Sequence, residues 1–262
     1  QNIHNSTTNA IIFSSFEKKF LKKGRGIIGK FGITENRDDF NGLNKSNNYY
    51  HMPNGDVTTD SINQQNDLSV RRSAKSLSIL FSEPISNAIT LNAFYNYNYE
   101  GTRQDKVTSD FDYTRMAYHE KNDSLSNLFK TVLTSSSPGL SIKLNQPGYN
   151  IAVSLRMQFD NIANHDLTHI SNISWQNNFF APSVNVNFHL PANKRLNVFY
   201  YKMNQNPTST QLQPVIDNSN PIVIQKGNVN LRPAINNNVG LRFASFNSVN
   251  LNSFQFTLSA SF

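Results

Sequence analysis

Apolar and polar positions alternate along most of this chain. Over 87–100, Ile89, Leu91, Ala93, Tyr95, Tyr97 and Tyr99 hold one parity, and Thr90, Asn92, Asn96 and Asn98 the other, with Phe94 the lone exception. Over 150–160, Ile151, Val153, Leu155, Met157 and Phe159 alternate with Asn150, Ser154, Arg156, Gln158 and Asp160. Val184, Val186, Phe188 and Leu190 alternate with Asn185, Asn187 and His189, and Phe254, Phe256, Leu258, Ala260 and Phe262 with Ser253, Gln255, Thr257, Ser259 and Ser261. Successive strand side chains point to opposite faces, so period two predicts strands with one apolar and one polar face. Weaker alternation predicts further strands at 10–21, 26–37, 66–82, 124–145, 194–205 and 235–247, about ten in all. The best helix candidate, 111–130, has no apolar stripe at helical spacing.

Tight and long connections alternate between these segments. Lys22-Lys23-Gly24-Arg25, Glu83-Pro84-Ile85-Ser86, Gln146-Pro147-Gly148, Pro191-Ala192-Asn193-Lys194 and Asn247-Ser248-Val249-Asn250 read as tight turns. The stretches 38–65, 103–123, 163–172 and 206–234 read as long loops. The pattern fits an antiparallel meander with short turns at one rim and long loops at the other, as in outer-membrane barrels. A sandwich gives no reason for it. The last loop stands out. Pro207, Leu212, Pro214, Asp217, Asn220, Pro221, Gly227, Asn228, Leu231 and Pro233 punctuate a stretch without an apolar run. Proline fixes φ, glycine permits positive φ and Asn or Asp closes turns through its own side chain, so this loop is expected to fold specifically over something.

Composition narrows the reading. Of 262 residues, 37% are hydrophobic, 11% aromatic and only 16% charged, so the polar faces are amide and hydroxyl rich rather than charged, which suits a hydrated lumen. Cysteine is absent, which removes disulfides and thiolate metal sites. The net charge of +7 gathers in part at Lys18-Lys19, Lys22-Lys23-Arg25 and Arg71-Arg72. Solvated turns are the plain reading, and an anionic lipid head group the sharper one. Aromatics do not interleave with these clusters and no nucleic-acid motif is present, so nucleic acid is not expected as a partner. No charged-then-apolar leader opens the chain, and no run approaches the ~20 apolar residues of a membrane helix. Barrel strands escape such a scan.

With these residues in view, the chain resembles TonB-dependent receptor-like outer-membrane β-barrel proteins of Bacteroidetes, which carry a carboxypeptidase-regulatory-like domain and a plug ahead of the barrel. The resemblance lies in Pro207, Ser209, Gln211-Leu212-Gln213-Pro214, Asp217-Asn218-Ser219-Asn220-Pro221, Gly227-Asn228, Asn230-Leu231 and Pro233. It is supported by the turns Phe20-Leu21-Lys22-Lys23-Gly24-Arg25 and Ser82-Glu83-Pro84-Ile85 and by Asp123-Ser124-Leu125-Ser126-Asn127. The chain departs from the family at Val229, where Pro is usual, and at Ala234, where an acidic residue is usual. The resemblance implies an all-β, up-and-down meander forming part of a transmembrane barrel of about 22 strands. It implies that 1–262 is a partial barrel domain without plug or signal peptide, placed in the outer membrane of a Gram-negative bacterium. Its expected partners are outer-membrane lipid and lipopolysaccharide, and, through other parts of the full-length protein, the plug and the TonB complex. The expected function is uptake of a nutrient. The alternatives are a small self-contained porin or adhesin, and a soluble glycan-binding β-sandwich.

Catalysis finds no support. No nucleophile elbow, Walker loop or dinucleotide fingerprint is present. Asp38-Asp39 and Asp105, Asp110 and Asp112 give no sign of convergence, and His165 and His169 would share a face only on a helix. No enzyme activity, cofactor or metal is expected. The aromatic stretch 40–52 supplies weak ligand candidates in Tyr49, Tyr50 and His51.

Overall fold

The computed structural model of the chain describes residues 3–168, 171–212, 216–220, 223–228, 230–247 and 250–262. The chain opens with β1 (Ile3–Lys19), β2 (Gly26–His51), β3 (Val57–Pro84) and β4 (Ile89–Asp112), then a short β5 (Ala117–Lys121). It continues through β6 (Asn127–Gln146), β7 (Tyr149–Asp166), β8 (Ser171–Leu190) and β9 (Lys194–Gln205). A single helical turn, α1 (Ser209–Leu212), and the hairpin of β10 (Ile216–Asn220) and β11 (Val223–Lys226) precede β12 (Ala234–Asn247) and β13 (Asn252–Ser261). The main sheet runs β1-β2-β3-β4-β6-β7-β8-β9-β12-β13, every neighbour antiparallel, with β5 paired to β4. This is the expected meander in one layer; among the described residues the other sheet is the two-stranded β10–β11 hairpin, not the second large sheet that a sandwich would require. The sheet is not closed, and β1 and β13 are its two edges.

The ladder places every apolar parity on one face. Ile89, Leu144, Ile151, Val186, Val198, Leu241 and Leu258 stand directly opposite one another across seven strands. Ile27, Phe81, Ala93, Leu140, Leu155 and Pro182 form a second such row. The opposite face carries the row Ser82, Asn92, Ser141, Ser154, Ser183, Tyr201, Asn238 and Ser261. There, Ser82 donates to Asn92 Oδ1 at 2.7 Å and Asn92 to Ser141 Oγ at 3.2 Å. The apolar face stays open: Ile142 is 54%, Leu155 50% and Leu258 64% exposed. A contiguous apolar surface of this extent is what a soluble protein avoids and a bilayer requires.

Phe94 breaks the alternation because its ring faces the polar side, over Gly139 directly opposite. A Cβ on Gly139 would overlap that ring and lie 2.8 Å from the Leu155 carbonyl oxygen. Phe199 lies over its partner Gly240 in the same way, with the Arg242 guanidinium 5.6 Å above the ring centre. At both places glycine supplies the room for the aromatic ring.

Three of the four expected long loops are not loops. β2 and β3 continue to a turn at 52–56, β4 extends to Asp112, and β7 extends to Asp166. At about 3.4 Å per residue, the 28 residues of β3 far exceed the 9–11 needed to cross a bilayer. The reason is chemical. Beyond the apolar rows neither face needs apolar residues, but the backbone ladder still forms, and polar side chains pair directly across it. Thr7 donates to Asp38 (2.9 Å), Ser69 to Asp39 (2.6 Å), Ser73 to Glu35 (2.6 Å), Ser61 to Asn47 (2.9 Å) and Thr108 to Asn66 (2.8 Å). Cross-strand pairs of this kind contribute a few tenths of a kcal/mol to ~1 kcal/mol each.

Candidate functional site

The connection between β9 and β12 is a strap folded onto the polar face. Thr208 opens α1: its backbone N–H donates to Gln211 Oε1 at 2.9 Å, and the Gln211 N–H donates to Thr208 Oγ1 at 3.3 Å. This reciprocal arrangement is a capping box, which makes so short a turn possible. The turn aims Leu212 inward, where it is completely buried against Ile162 on β7 and Trp175 on β8, with Leu133 and Leu231 packed around them. Ile162 and Trp175 face each other directly across the ladder, so the wall presents a ready apolar seat on its otherwise polar side.

The returning half of the strap is tied to the same turn. The Asn228 N–H donates to the Gln211 carbonyl at 2.7 Å, the Leu231 N–H to the Asn228 carbonyl at 3.2 Å, and the Asn230 N–H to Asn228 Oδ1 at 2.9 Å. Asn228 thus makes the side-chain turn that its type suggests, just after Gly227. Pro207 follows the end of β9, and Pro233 immediately precedes β12. Asp217 and Asn220 lie in β10, while Pro214 and Pro221 lie outside the described residues.

Asp160, which the alternation placed on the polar face, anchors the start of the strap. Its buried carboxylate accepts from Asn204 (2.8 Å), Asn206 (3.2 Å) and Gln158 (2.9 Å). Nearby on that face, Thr131 Oγ1, both amide atoms of Asn164 and Trp175 Nε1 are buried without a protein partner. Sequence reasoning found the strap through its Pro, Gly and Asn pattern but missed Asp160, Ile162 and Trp175. The available signal was the isolated Trp among amide and hydroxyl residues.

The remaining candidates are scattered. Tyr49, Tyr50 and His51 end β2 opposite Thr59, Thr58 and Val57, with Tyr49 and Tyr50 on opposite faces and both exposed. Asp38 and Asp39 also point to opposite faces. Hydrogen bonds from Thr7 and then Arg72 hold Asp38 below its ordinary pKa, and a hydrogen bond from Ser69, then Arg37, does the same for Asp39. Asp110 accepts from Gln64 and Asn122, and Asp112 caps the turn at Thr114. His165 pairs with Asn172 at 2.6 Å, while His169 lies outside the described residues. Among the described residues, no three His, Asp or Glu side chains converge as metal ligands. At the short-turn rim, beyond the apolar rows of β3, Glu83 receives Arg25 Nε (2.6 Å) and Lys22 Nζ (2.6 Å). These hydrogen bonds, Arg25 first, lower its pKa to about 2.

Comparison with known proteins agrees with this architecture. The model of the outer membrane protein beta-barrel family matches residues 18–262. No curated protein matches the chain. Among solved structures, the ferric-catecholate import receptor Fiu of E. coli K12 superposes with a TM-score of 0.62 at 9% identity, over 98% of this chain and 41% of the receptor. The ferric preacinetobactin receptor BauA of Acinetobacter baumannii gives 0.55 at 14% identity, over 99% and 37%. The ferric citrate transporter FecA gives 0.51 at 10% identity, over 85% and 33%. The chain therefore spans about two fifths or less of each neighbour's length, and at these identities the likeness is one of fold.

Proposed function

We propose that this chain, which belongs to the outer membrane protein beta-barrel family, forms part of the wall of a TonB-dependent receptor that takes up a nutrient. It is a protein of the Gram-negative outer membrane, with its apolar face toward lipid and its polar face toward the barrel interior. The observation that carries the proposal is the strap, a structured segment seated on the interior face through Leu212 and Asp160. A simple diffusion pore needs an unobstructed hydrated interior, whereas a receptor lumen holds an ordered plug. The unpartnered polar atoms of Thr131, Asn164 and Trp175 on the same face are groups that a plug would meet.

The two sheet edges support a larger assembly. In lipid each unpaired backbone group costs several kcal/mol, so β1 and β13 require further strands to close the wall. In this reading the further strands, the plug and a carboxypeptidase-regulatory-like domain belong to the same full-length protein, as in the receptor-like subfamily of Bacteroidetes. Three iron-complex receptors are among the fold neighbours. A nutrient too large or too scarce for passive entry is the substrate class this architecture serves.

The test is to disrupt the gene in its own host. Uptake of ferric chelates, vitamins, oligosaccharides and peptides is then measured with and without an uncoupler of the inner-membrane proton gradient. Loss of one uptake activity that the uncoupler also abolishes supports the receptor reading. Loss of an uptake that persists with the uncoupler replaces it with a passive porin.

A further inference from the structure

The seat of the strap has the chemistry of a ligand site. Leu133, Ile162 and Trp175 stand directly opposite one another on β6, β7 and β8 and form an apolar strip on the polar face. The adjacent row on one side carries Thr131 and Asn164, and that on the other side Ser135, Asp160 and Asn177. Thr131 Oγ1, both amide atoms of Asn164 and Trp175 Nε1 are buried with no partner among the described residues, and Asn164 is only 2% exposed. Asn204 Oδ1, beside the Asp160 carboxylate, is a further acceptor in the same state. A buried donor or acceptor left unpaired opposes the arrangement that buries it. Leu212 covers the strip with an apolar side chain, which answers none of these groups.

Charge narrows the ligand. In these three rows of β6, β7 and β8, Asp160 is the one charged side chain, and Glu100 continues the strip on β4, opposite Leu133. The cations around the strip are engaged elsewhere: Arg72 meets Asp38 at 2.5 Å, and the Lys202 ammonium lies 5.3 Å from the centre of the Phe179 ring. An anionic chelate laid on the strip would meet carboxylates and no free cation. An uncharged ligand with one apolar face and a polar rim fits instead. A sugar ring has that form: its C–H face suits an indole, and each hydroxyl both donates and accepts. Asn164 offers a donor and an acceptor on one amide, Thr131 a hydroxyl, Trp175 a donor and Asp160 an acceptor.

Resting on the receptor reading above, we infer that the strap is a lid over a binding site for a neutral saccharide, and that the nutrient is an oligosaccharide. With Leu212 lifted, a sugar ring lies on Trp175 and Ile162, and its hydroxyls pair with Asn164, Thr131, Trp175 Nε1 and Asp160. Strap and sugar compete for one strip. Each therefore lowers the occupancy of the other, and the affinity for sugar is reduced by the fraction of molecules whose lid is closed.

The test uses the full-length protein from its own outer membrane, placed in bilayer discs. It is titrated with neutral hexasaccharides of glucose, mannose, xylose and galactose, and with ferric citrate and a pentapeptide pool as other ligand classes. Hydrogen exchange of ladder amides at 151–159 reports an intact wall. One hexasaccharide is expected to bind, and Leu212→Ala to bind it about tenfold or more tighter, because its lid is already lifted. In that background Asn164→Ala should weaken binding about tenfold, and Trp175→Phe, which removes Nε1 but keeps an apolar ring, about fivefold. Saturating sugar should also speed exchange at the Leu212, Asn228 and Leu231 amides of wild type, a readout that needs no variant. An intact Leu212→Ala protein that binds no hexasaccharide, or binds it no tighter than wild type, overturns the inference. So does a larger gain for ferric citrate or peptide than for any sugar, or sugar binding that leaves strap exchange unchanged. A sugar that binds in this way yet is taken up despite the uncoupler removes the receptor reading and leaves the lidded site standing.

Discussion

Replacing Leu212 with alanine removes the fully buried side chain by which α1 sits on Ile162 and Trp175. Leu→Ala at a buried site costs about 2–5 kcal/mol, from lost transfer energy and the cavity left behind. Here the loss falls on strap docking rather than on the sheet, because β7 and β8 pair through their own backbones over 149–166 and 171–188, with no hydrogen bond from α1 in that ladder. With each 1.4 kcal/mol worth a factor of ten, a loss of about 2–5 kcal/mol raises the open population roughly thirtyfold to a few thousandfold. The readout is hydrogen exchange of the folded protein in bilayer discs. The reporters are the amides of Leu212, Asn228 and Leu231, which donate to Thr208, Gln211 and Asn228 carbonyls. They should accelerate by that factor, while ladder amides at 151–159 keep wild-type protection. Leu212→Met, which conserves volume, should cost less than about 1.5 kcal/mol. Unchanged strap exchange in Leu212→Ala, or equal loosening of strap and ladder, would refute the reasoning.

Three other predictions follow from particular contacts. Asp160→Ala leaves the amides of Asn204, Asn206 and Gln158 without their acceptor; at about 1–3 kcal/mol per stranded donor, exchange and proteolysis at 205–208 should rise more than in Leu212→Ala. Gly139→Ala should lower the urea midpoint by overpacking worth about 1–3 kcal/mol, and adding Phe94→Leu should restore only part of it, because the Leu155 carbonyl still lies 2.8 Å from the new Cβ. Glu83 has its pKa depressed to about 2 by Arg25 and Lys22, so its stabilisation of the rim turn is fully present above about pH 4.5 and fades as pH falls toward 2. Protection of the amides at 22–25, taken relative to the intrinsic exchange rate at each pH, should fall as pH drops through that window in wild type, and Glu83→Gln should abolish that change in protection.

Period two revealed the strands wherever one face is apolar, because there the side chains carry the signal. It stopped at about residue 37 on β2 and resumed at about 66 on β3, although the ladder runs on to His51 and from Val57. In that region Ser, Asn and Asp pair across strands on both faces, and a polar hairpin looks like a loop in sequence. Phe94 looked like an irregularity until Gly139 appeared beneath it, 45 positions away along the chain. The strap was legible through its turn residues, yet its anchor was not. Leu212 is one apolar residue in a polar stretch, and only the register brings Ile162 opposite Trp175 to receive it. The faces taken by the basic residues were hidden for the same reason. Arg71-Arg72 reads as a basic pair in sequence, but a strand sends the two side chains to opposite faces. Arg72 meets Asp38 at 2.5 Å, while Arg71 joins Arg37 and Arg103.

The absence of cysteine gives a clean background for single-cysteine labelling along β7. Cysteines at 151 through 159, one at a time in the protein folded into bilayers, are probed with a water-soluble thiol reagent and a lipid-confined quencher. The account predicts alternation: Ile151, Val153, Leu155, Met157 and Phe159 positions quenched from lipid, and Ala152, Ser154, Arg156 and Gln158 positions reached from water. Uniform access from water, or quenching without period two, would contradict a wall with one face in lipid.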